Sequence, residues 1–122
     1  MTINDSHPGN GMLGVGWETR GTAVVLSVTG ELDLATVPVL EQHVQAALEG
    51  LPGGRLVLDL REVGFLSSAG LALLAEHTAR NDVWVVADQH AVIRPLTVTG
   101  LLATLRLAPT VDQALAPAGE PG

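Results

Sequence analysis

Apolar residues recur along this chain with two spacings, about two residues in some segments and three to four in others. Period-two or continuous apolar runs predict five short strands, at 13–18, 22–29, 55–60, 82–88 and 105–107. Apolar positions three and four apart predict four helices, from Thr36 to Gly50, from Ser68 to Asn81, at 91–99 and after Thr110. The order β-β-α-β-α-β-α-β-α predicts an α/β domain with right-handed crossovers and a mixed, mostly parallel sheet.

Polar residues mark where the predicted helices begin. Thr36 is expected to cap the first helix, with Pro38 inside its first turn, where a missing N–H is harmless. Ser68 stands where the second helix should start, after a short connection from the third strand. A hydroxyl there can cap free N–H groups, and negative charge added there is well tolerated. Ser68 is therefore a candidate phosphoacceptor as well as a candidate cap.

Composition removes several classes of function. The formal charge is −7, and the basic side chains are six scattered arginines with no lysine, so no nucleic-acid-binding face is indicated. There is no cysteine, which excludes disulfides and cysteine metal sites. No apolar run reaches the ~20 residues that a membrane span needs. We expect a cytoplasmic protein that binds neither nucleic acid nor membrane.

The two ends of the chain differ from its middle. Residues 1–11 and 117–122 are rich in small, polar and proline residues, and both are expected to be flexible tails. The first segment has neither the basic region nor the apolar stretch of a secretory signal. One domain at 12–116 remains, long enough to bury a core of Leu, Val and Ala.

Motifs of catalysis and cofactor binding do not match. The serine nucleophile motif requires Gly-x-Ser-x-Gly, whereas Gly64 lies three residues before Ser67 and four before Ser68. His43 and His77 are expected on solvated helix faces and His90 in a loop, so none is a predicted base. Neither a metal-binding nor a phosphate-cradling motif is present, and we expect no catalytic residue, cofactor or metal.

Three short segments resemble one family. They are Gly30-Glu-Leu-Asp33, Phe65-Leu-Ser-Ser-Ala-Gly-Leu71 and Val98-Thr-Gly-Leu101. In this order, on this pattern of strands and helices, they resemble the STAS-domain anti-sigma factor antagonists over about residues 13–116. The length and the Leu-Ser-Ser-Ala-Gly segment are similar to the RsfB-type members of the sigma-F pathway. The resemblance implies a single STAS domain with four or five strands and about four helices.

The resemblance also implies how the protein acts. Such an antagonist binds an anti-sigma factor and frees the sigma factor, and the anti-sigma factor, itself a serine kinase, phosphorylates the antagonist and ejects it. The family's acceptor maps onto Ser68, and its loop acid maps onto Asp33. Ser67 replaces a frequent aspartate and is a rival acceptor, and Ala69 replaces a frequent serine. With Gly70, these residues form the implied partner surface. A phosphoserine phosphatase is a further implied partner, and the free protein is expected to be a monomer.

Two alternatives stay open at this point. The first is a STAS subunit of a membrane lipid-transport ABC complex, in which the same helix would grip an ATPase without phosphorylation. The second is a small hydrolase that uses Ser68 as its nucleophile. Asp33 likewise has a plain structural interpretation, as a turn or near-cap acid that does not contact a partner.

Overall fold

The structure is a computed structural model that describes residues 13–116, so the two predicted tails lie outside the described residues. Nine helices and strands, with one short 3-10 turn at Leu101–Ala103, alternate in the predicted order. They are β1 (Gly14–Arg20), β2 (Ala23–Leu32), α1 (Val37–Glu49), β3 (Arg55–Leu66), α2 (Ser68–Arg80), β4 (Val83–Val86), α3 (His90–Val98), β5 (Leu107–Ala108) and α4 (Val111–Leu115).

The five strands form one mixed sheet in the order β1-β2-β3-β4-β5. β1 and β2 form an antiparallel hairpin, and all other neighbouring strands are parallel. The predicted α/β class and mostly parallel sheet are confirmed. Because β2, β3 and β4 run in the same direction, the segments that follow them all leave from one edge of the sheet, which we call the C-edge.

Each face of the sheet carries its own apolar layer. The larger layer lies between the sheet and three helices, α1, α2 and α3, and includes the fully buried Leu26, Leu58, Leu40, Leu74 and Leu96. The smaller layer lies on the opposite face, beneath the short helix α4, and consists of Val25, Val57, Val86, Ala108 and Ala114. The C-edge is thus supported by a rigid two-layer core.

β2 and β3 extend further than the sequence predicts. Residues 30–32 and 61–66, expected in loops, continue the two strands as far as Leu32 and Leu66, so those loop predictions are wrong. Two register shifts each place an extra residue in β3, after Ser27 pairs with Asp59 and after Gly30 pairs with Val63. Gly30 has φ +110, a conformation that glycine adopts without strain.

The bulges explain the missed strand ends. In this part of β3 the buried residues are Leu60, Val63 and Leu66, three apart, instead of the alternation that identifies a strand. The side chain of Gln89, just before α3, donates to the Leu60 carbonyl at 2.6 Å and to the Val63 carbonyl at 2.8 Å. Gln89 therefore holds the bulged strand in place.

Two further boundaries differ from the sequence prediction. α3 begins at His90, which was expected in a loop, and runs through Pro95 although that residue cannot donate to the preceding turn. β5 comprises Leu107–Ala108 instead of 105–107. β5 is short, and its two residues are those that pair with Val85 and Val86 of β4.

Arg55 attaches α4 to the sheet. Its Nε donates to the Asp82 carboxylate at 2.9 Å, and its Nη1 donates to the carbonyls of Ala114 and Ala116 at 2.9 and 2.8 Å. The guanidinium also lies 5.0 Å from the centroid of the Trp84 ring. One side chain at the start of β3 thus satisfies the carbonyls that end α4.

The two tryptophans of the chain lie on opposite faces of the sheet. Trp17 pairs with Leu26 in the hairpin, and its Nε1 donates to His43 Nδ1 on α1 at 2.9 Å. Trp84 packs against the smaller layer. Within residues 13–116, every helix is too short or too polar to cross a lipid bilayer.

Candidate functional site

Asp33 and Ser67 meet at the C-edge because the strands before them are paired. Leu32 pairs with Leu66 in the parallel ladder, and each is the last residue of its strand. The Ser67 N–H donates to the Leu32 carbonyl at 2.8 Å, which extends the ladder by one bond. The two segments that the sequence singled out therefore lie side by side, one strand spacing apart, about 4.8 Å.

The two serines occupy different positions in α2. Ser67 is the N-cap, with extended backbone, and its hydroxyl accepts a hydrogen bond from the Gly70 N–H at 3.3 Å. Ser68 is the first helical residue and is exposed. The expectation that Ser68 caps the helix is thus wrong, since the cap lies one residue earlier. This shift leaves the Ser68 hydroxyl at the solvent side of the helix N-terminus.

Asp33 organises the turn between β2 and α1. Its Oδ1 accepts hydrogen bonds from the N–H groups of Ala35 and Thr36, both at 3.0 Å. Thr36 is buried, and its hydroxyl donates to the Glu31 carbonyl at 2.6 Å and accepts from the Asp33 N–H at 2.9 Å. Thr36 is the N-cap residue of α1, as predicted, but its hydroxyl bonds within the turn and accepts no hydrogen bond from an N–H of the helix. The Asp33 carboxylate therefore closes this turn, and its position leaves its charge at the C-edge.

Gly70 lets the start of α2 approach the ends of β2 and β3. It is buried, and a Cβ at this position would lie 2.7 Å from Leu66 Cδ1 and 3.2 Å from Leu32 Cβ. Gly70 thus lies beneath the implied partner surface, and its part in binding stays a prediction. The close packing that Gly70 permits determines how far Ser68 projects from the sheet.

Two exposed apolar residues at the C-edge were missed by the sequence interpretation. Leu34 is 81% exposed and follows Asp33, and Phe65 is 49% exposed and pairs with Glu31 in the ladder. The sequence contained a signal for Leu34, an apolar residue in a polar turn, one position after the family's loop acid. Phe65 gave no such signal because the bulged strand hid which of its residues face the core.

Two histidines, His43 and His77, are engaged elsewhere in the fold. His77 was expected on a solvated face, but it is 3% exposed and its Nε2 lies 2.8 Å from Glu41 Oε1, between α1 and α2. His43 accepts from Trp17, and His90 opens α3. The prediction for His77 is therefore wrong, because the helix pair covers it. A hydrolase mechanism at Ser68 gains no base from His43 or His77.

A groove of about 490 Å³, lined by residues between Glu18 and Asp112, lies on the α4 face of the sheet and does not include Ser68. Its charged side chains are largely paired within the chain, Arg20 with Glu18 at 2.7 Å and Arg61 with Asp59 at 2.9 Å. Across residues 13–116, no cluster of His, Asp and Glu has the arrangement of a metal site. The candidate functional site is therefore an exposed strand edge and not a cavity.

Comparison with known proteins gives concordant results. A family model described as "Mlab, STAS domain" matches residues 15–108, most of the chain. The anti-sigma-F factor antagonist RsfB of Mycobacterium tuberculosis is 38% identical over 95 residues, which span 75% of this chain and 77% of RsfB. Both matches include the C-edge segments at Asp33 and Ser68.

Solved structures show the same fold. An anti-sigma factor antagonist from Mycobacterium paratuberculosis superposes with a TM-score of 0.78 at 39% identity, covering 84% of this chain and 91% of the other. The anti-sigma factor antagonist SpoIIAA, in its unphosphorylated form, superposes with a TM-score of 0.66 at 18% identity, covering 84% and 93%. At that identity the second likeness concerns the fold alone.

Proposed function

The chain belongs to the STAS domain family, and we propose on this premise that it is an anti-sigma factor antagonist controlled by phosphorylation of Ser68. In this proposal it acts in the cytoplasm as a monomer, binds an anti-sigma factor with serine-kinase activity, and thereby releases a sigma factor. Phosphate on Ser68 ends the interaction, and a phosphoserine phosphatase restores it. The protein is a substrate of the kinase and has no catalytic residue of its own.

The observation that carries the proposal is the different use of the two adjacent hydroxyls. The Ser67 hydroxyl accepts from the helix, so modifying it would remove the cap of α2. The Ser68 hydroxyl is exposed at the first position of the thirteen-residue helix α2. A kinase can reach Ser68 and leave the cap intact, which favours Ser68 as acceptor over its neighbour.

The same position explains how phosphate could act without refolding the protein. A phosphoserine adds about −1.5 to −2 charge at neutral pH, and a helix N-terminus accommodates such charge. In a complex, that charge would be buried close to Asp33, where repulsion and desolvation oppose binding. A 100-fold loss of affinity requires only about 2.7 kcal/mol, which one misplaced phosphate can supply.

The partner surface in this proposal is centred on the turn at Asp33 and the start of α2. Asp33, Ser67, Ser68 and Ala69 lie on it, and Gly70 supports it from beneath. Asp33 is half-buried, and no arginine among residues 13–116 forms an ion pair with it. Its charge is therefore available to a partner and opposes a phosphate on Ser68.

A phosphorylation assay tests the acceptor. The protein is incubated with ATP and an anti-sigma-F factor, the class of protein that the name of RsfB identifies, and the phosphate is located by mass spectrometry. We expect phosphate on Ser68 in the unmodified protein and in Ser67→Ala, and none in Ser68→Ala. Phosphate on Ser67 with Ser68 unmodified would contradict the assignment.

A binding assay tests the switch itself. Ser68→Glu is expected to weaken binding to the anti-sigma-F factor while thermal stability hardly changes, because a carboxylate near a helix N-terminus stabilises by ~0.3–1 kcal/mol. The matched control is Ser68→Ala, which should bind like the unmodified protein. If the protein were instead a subunit of a lipid-transport complex, it would incorporate no phosphate and would not bind the anti-sigma-F factor.

A further inference from the structure

The C-edge displays two large apolar side chains that the core does not use. Leu34 is 81% exposed and Phe65 is 49% exposed. Phe65 is the only phenylalanine of a chain that has just two other aromatic residues. Exposed apolar residues are common singly, but two on one edge, beside the candidate acceptor, indicate a surface that another protein covers.

Both side chains are held on rigid backbone. Leu34 lies in the turn that Asp33 Oδ1 closes by accepting from Ala35 and Thr36. Phe65 lies in β3, paired with Glu31 and directly after the second bulge. Because both backbone segments are already ordered before binding, this chain loses little conformational entropy there when a partner covers them.

The two residues fit within one interface of ordinary size together with Ser68. Phe65 precedes Ser67 by two residues, and Leu34 follows Leu32 by two. Two residues span at most roughly 7 Å, so both Cα atoms lie within that distance of the strand ends. A typical interface buries about 800 Å² per partner, a disc of about 16 Å radius. A partner centred on the ends of β2 and β3 therefore reaches both side chains.

We propose that Leu34 and Phe65 are the anchor residues by which this edge binds the anti-sigma factor, whereas Ser68 only reports whether phosphate is present. The inference rests on the proposed function and divides its surface into two roles. Affinity comes from the burial of two apolar side chains, and the switch comes from charge at the helix N-terminus.

The charges at the C-edge select among possible occupants. Glu31 is exposed and Asp33 is half-buried, and neither is paired with an arginine within the described chain. A second copy docked on this edge would bring the same acids close together, and an anionic lipid surface would repel a protein of net charge −7. The occupant is therefore a different protein with apolar pockets, and continuity with Ser68 identifies it as the anti-sigma factor.

Dissociation constants for the anti-sigma-F factor test the anchor role. Leu34→Ala and Phe65→Ala are each expected to weaken binding ~10-fold or more, as truncated anchors do. The control is Val98→Ala, which truncates a residue that is 72% exposed at the far end of α3, and it should bind within twofold of the unmodified protein. The stability of each variant is measured in parallel by urea unfolding. If Phe65→Ala is destabilised, the anchor role is judged from the binding of Leu34→Ala and Leu34→Ser.

A second comparison separates anchoring from switching. The ratio by which Ser68→Glu weakens binding should be the same in the unmodified protein and in the Leu34→Ala background. Binding of both Leu34→Ala and Phe65→Ala within twofold of the unmodified protein overturns the anchor proposal while the proposed function stands. Full binding by Ser68→Glu, with weak binding by Leu34→Ala, overturns the switch and supports the anchors. Absence of binding by the unmodified protein overturns both.

Discussion

Asp33 combines two properties that substitutions can separate, an oxygen that closes a turn and a negative charge at the C-edge. Asparagine retains the oxygen that accepts from Ala35 and Thr36, so Asp33→Asn should change the free energy of unfolding by less than about 0.5 kcal/mol. Alanine loses that acceptor, and Asp33→Ala should cost about 1 kcal/mol. Urea denaturation measures both changes.

Asp33→Asn also tests whether the negative charge of Asp33 contributes to partner binding. Asp33→Asn removes it and should weaken binding to the anti-sigma-F factor or slow phosphorylation, although the protein remains stable. Glu49→Gln is the control, because it removes an exposed negative charge at the end of α1 opposite to the C-edge. If Asp33→Asn destabilised the fold as much as Asp33→Ala, the turn would depend on charge and the two properties would not be separable.

At this scale, the sequence predicted which residues meet at the C-edge better than it predicted their hydrogen bonds. The pattern brought Asp33 and Ser68 to one edge, because both follow predicted parallel strands. It assigned the caps to Thr36 and Ser68, however: Thr36 holds the N-cap position without a capping bond from its hydroxyl, and the structure moves the cap of α2 to Ser67. Composition cannot settle such one-residue choices, because each serine or threonine near a helix start can cap it and backbone geometry selects one.

The first turn of α2 depends on the absence of a side chain at Gly70. Gly70→Ala would place a methyl group 2.7 Å from Leu66 Cδ1 and 3.2 Å from Leu32 Cβ, and we expect a net loss of about 1 kcal/mol or more in unfolding free energy. The control is Gly64→Ala, whose Cβ would meet nothing within 4 Å. If Gly70→Ala were as stable as the unmodified protein, α2 would not be held against the strand ends.

The bulged end of β3 depends on an amide from another element. Gln89→Leu removes the two hydrogen bonds to the carbonyls of Leu60 and Val63 and should lower the unfolding free energy by about 1–3 kcal/mol. Amide exchange should quicken in residues 60–66. Gln45→Leu, which loses only a bond to Glu41 at an exposed position, should cost less than about 0.5 kcal/mol. Equal losses in the two variants would count against this role.

Sequence patterns predicted the element order but not these strand ends. A strand is recognised by alternation, and the two bulges replace alternation with a spacing of three between Leu60 and Leu66. The clamp by Gln89 was equally hidden, since it joins residues more than 25 positions apart. Features of this kind arise from register between strands, which local periodicity does not contain.

Among residues 13–116, the contact between His77 and Glu41 is the one side-chain hydrogen bond that joins α1 to α2, and its strength should depend on pH. Burial desolvates the Glu41 carboxyl and raises its pKa, but hydrogen bonds from Gln45 and His77 and the charge of His77 outweigh this, so the pKa lies below its usual 4.5. A lowered folded-state pKa stabilises the protein above the unfolded-state pKa, and this contribution disappears as pH falls through the folded-state value.

Glu41→Gln tests this dependence because it keeps the shape of the side chain and removes its titration. The stability advantage of the unmodified protein over Glu41→Gln should be full above about pH 4.5 and shrink below it. Thermal unfolding between pH 3 and pH 7 measures the difference, with Glu49→Gln as the control for replacing a glutamate of the same helix. An advantage that did not change over this range would contradict the lowered pKa.

The positions of the two tryptophans give the molecule a pair of built-in optical reporters. Trp17 lies against α1 on one face of the sheet, and Trp84 lies against the α4 layer on the other. The variants Trp84→Phe and Trp17→Phe therefore each emit from one layer only. Coincident fluorescence melting curves would show that both layers unfold together, whereas an earlier curve for Trp84 would show that the face held by Arg55 opens first. Opening of the smaller layer can thus be followed without an attached dye.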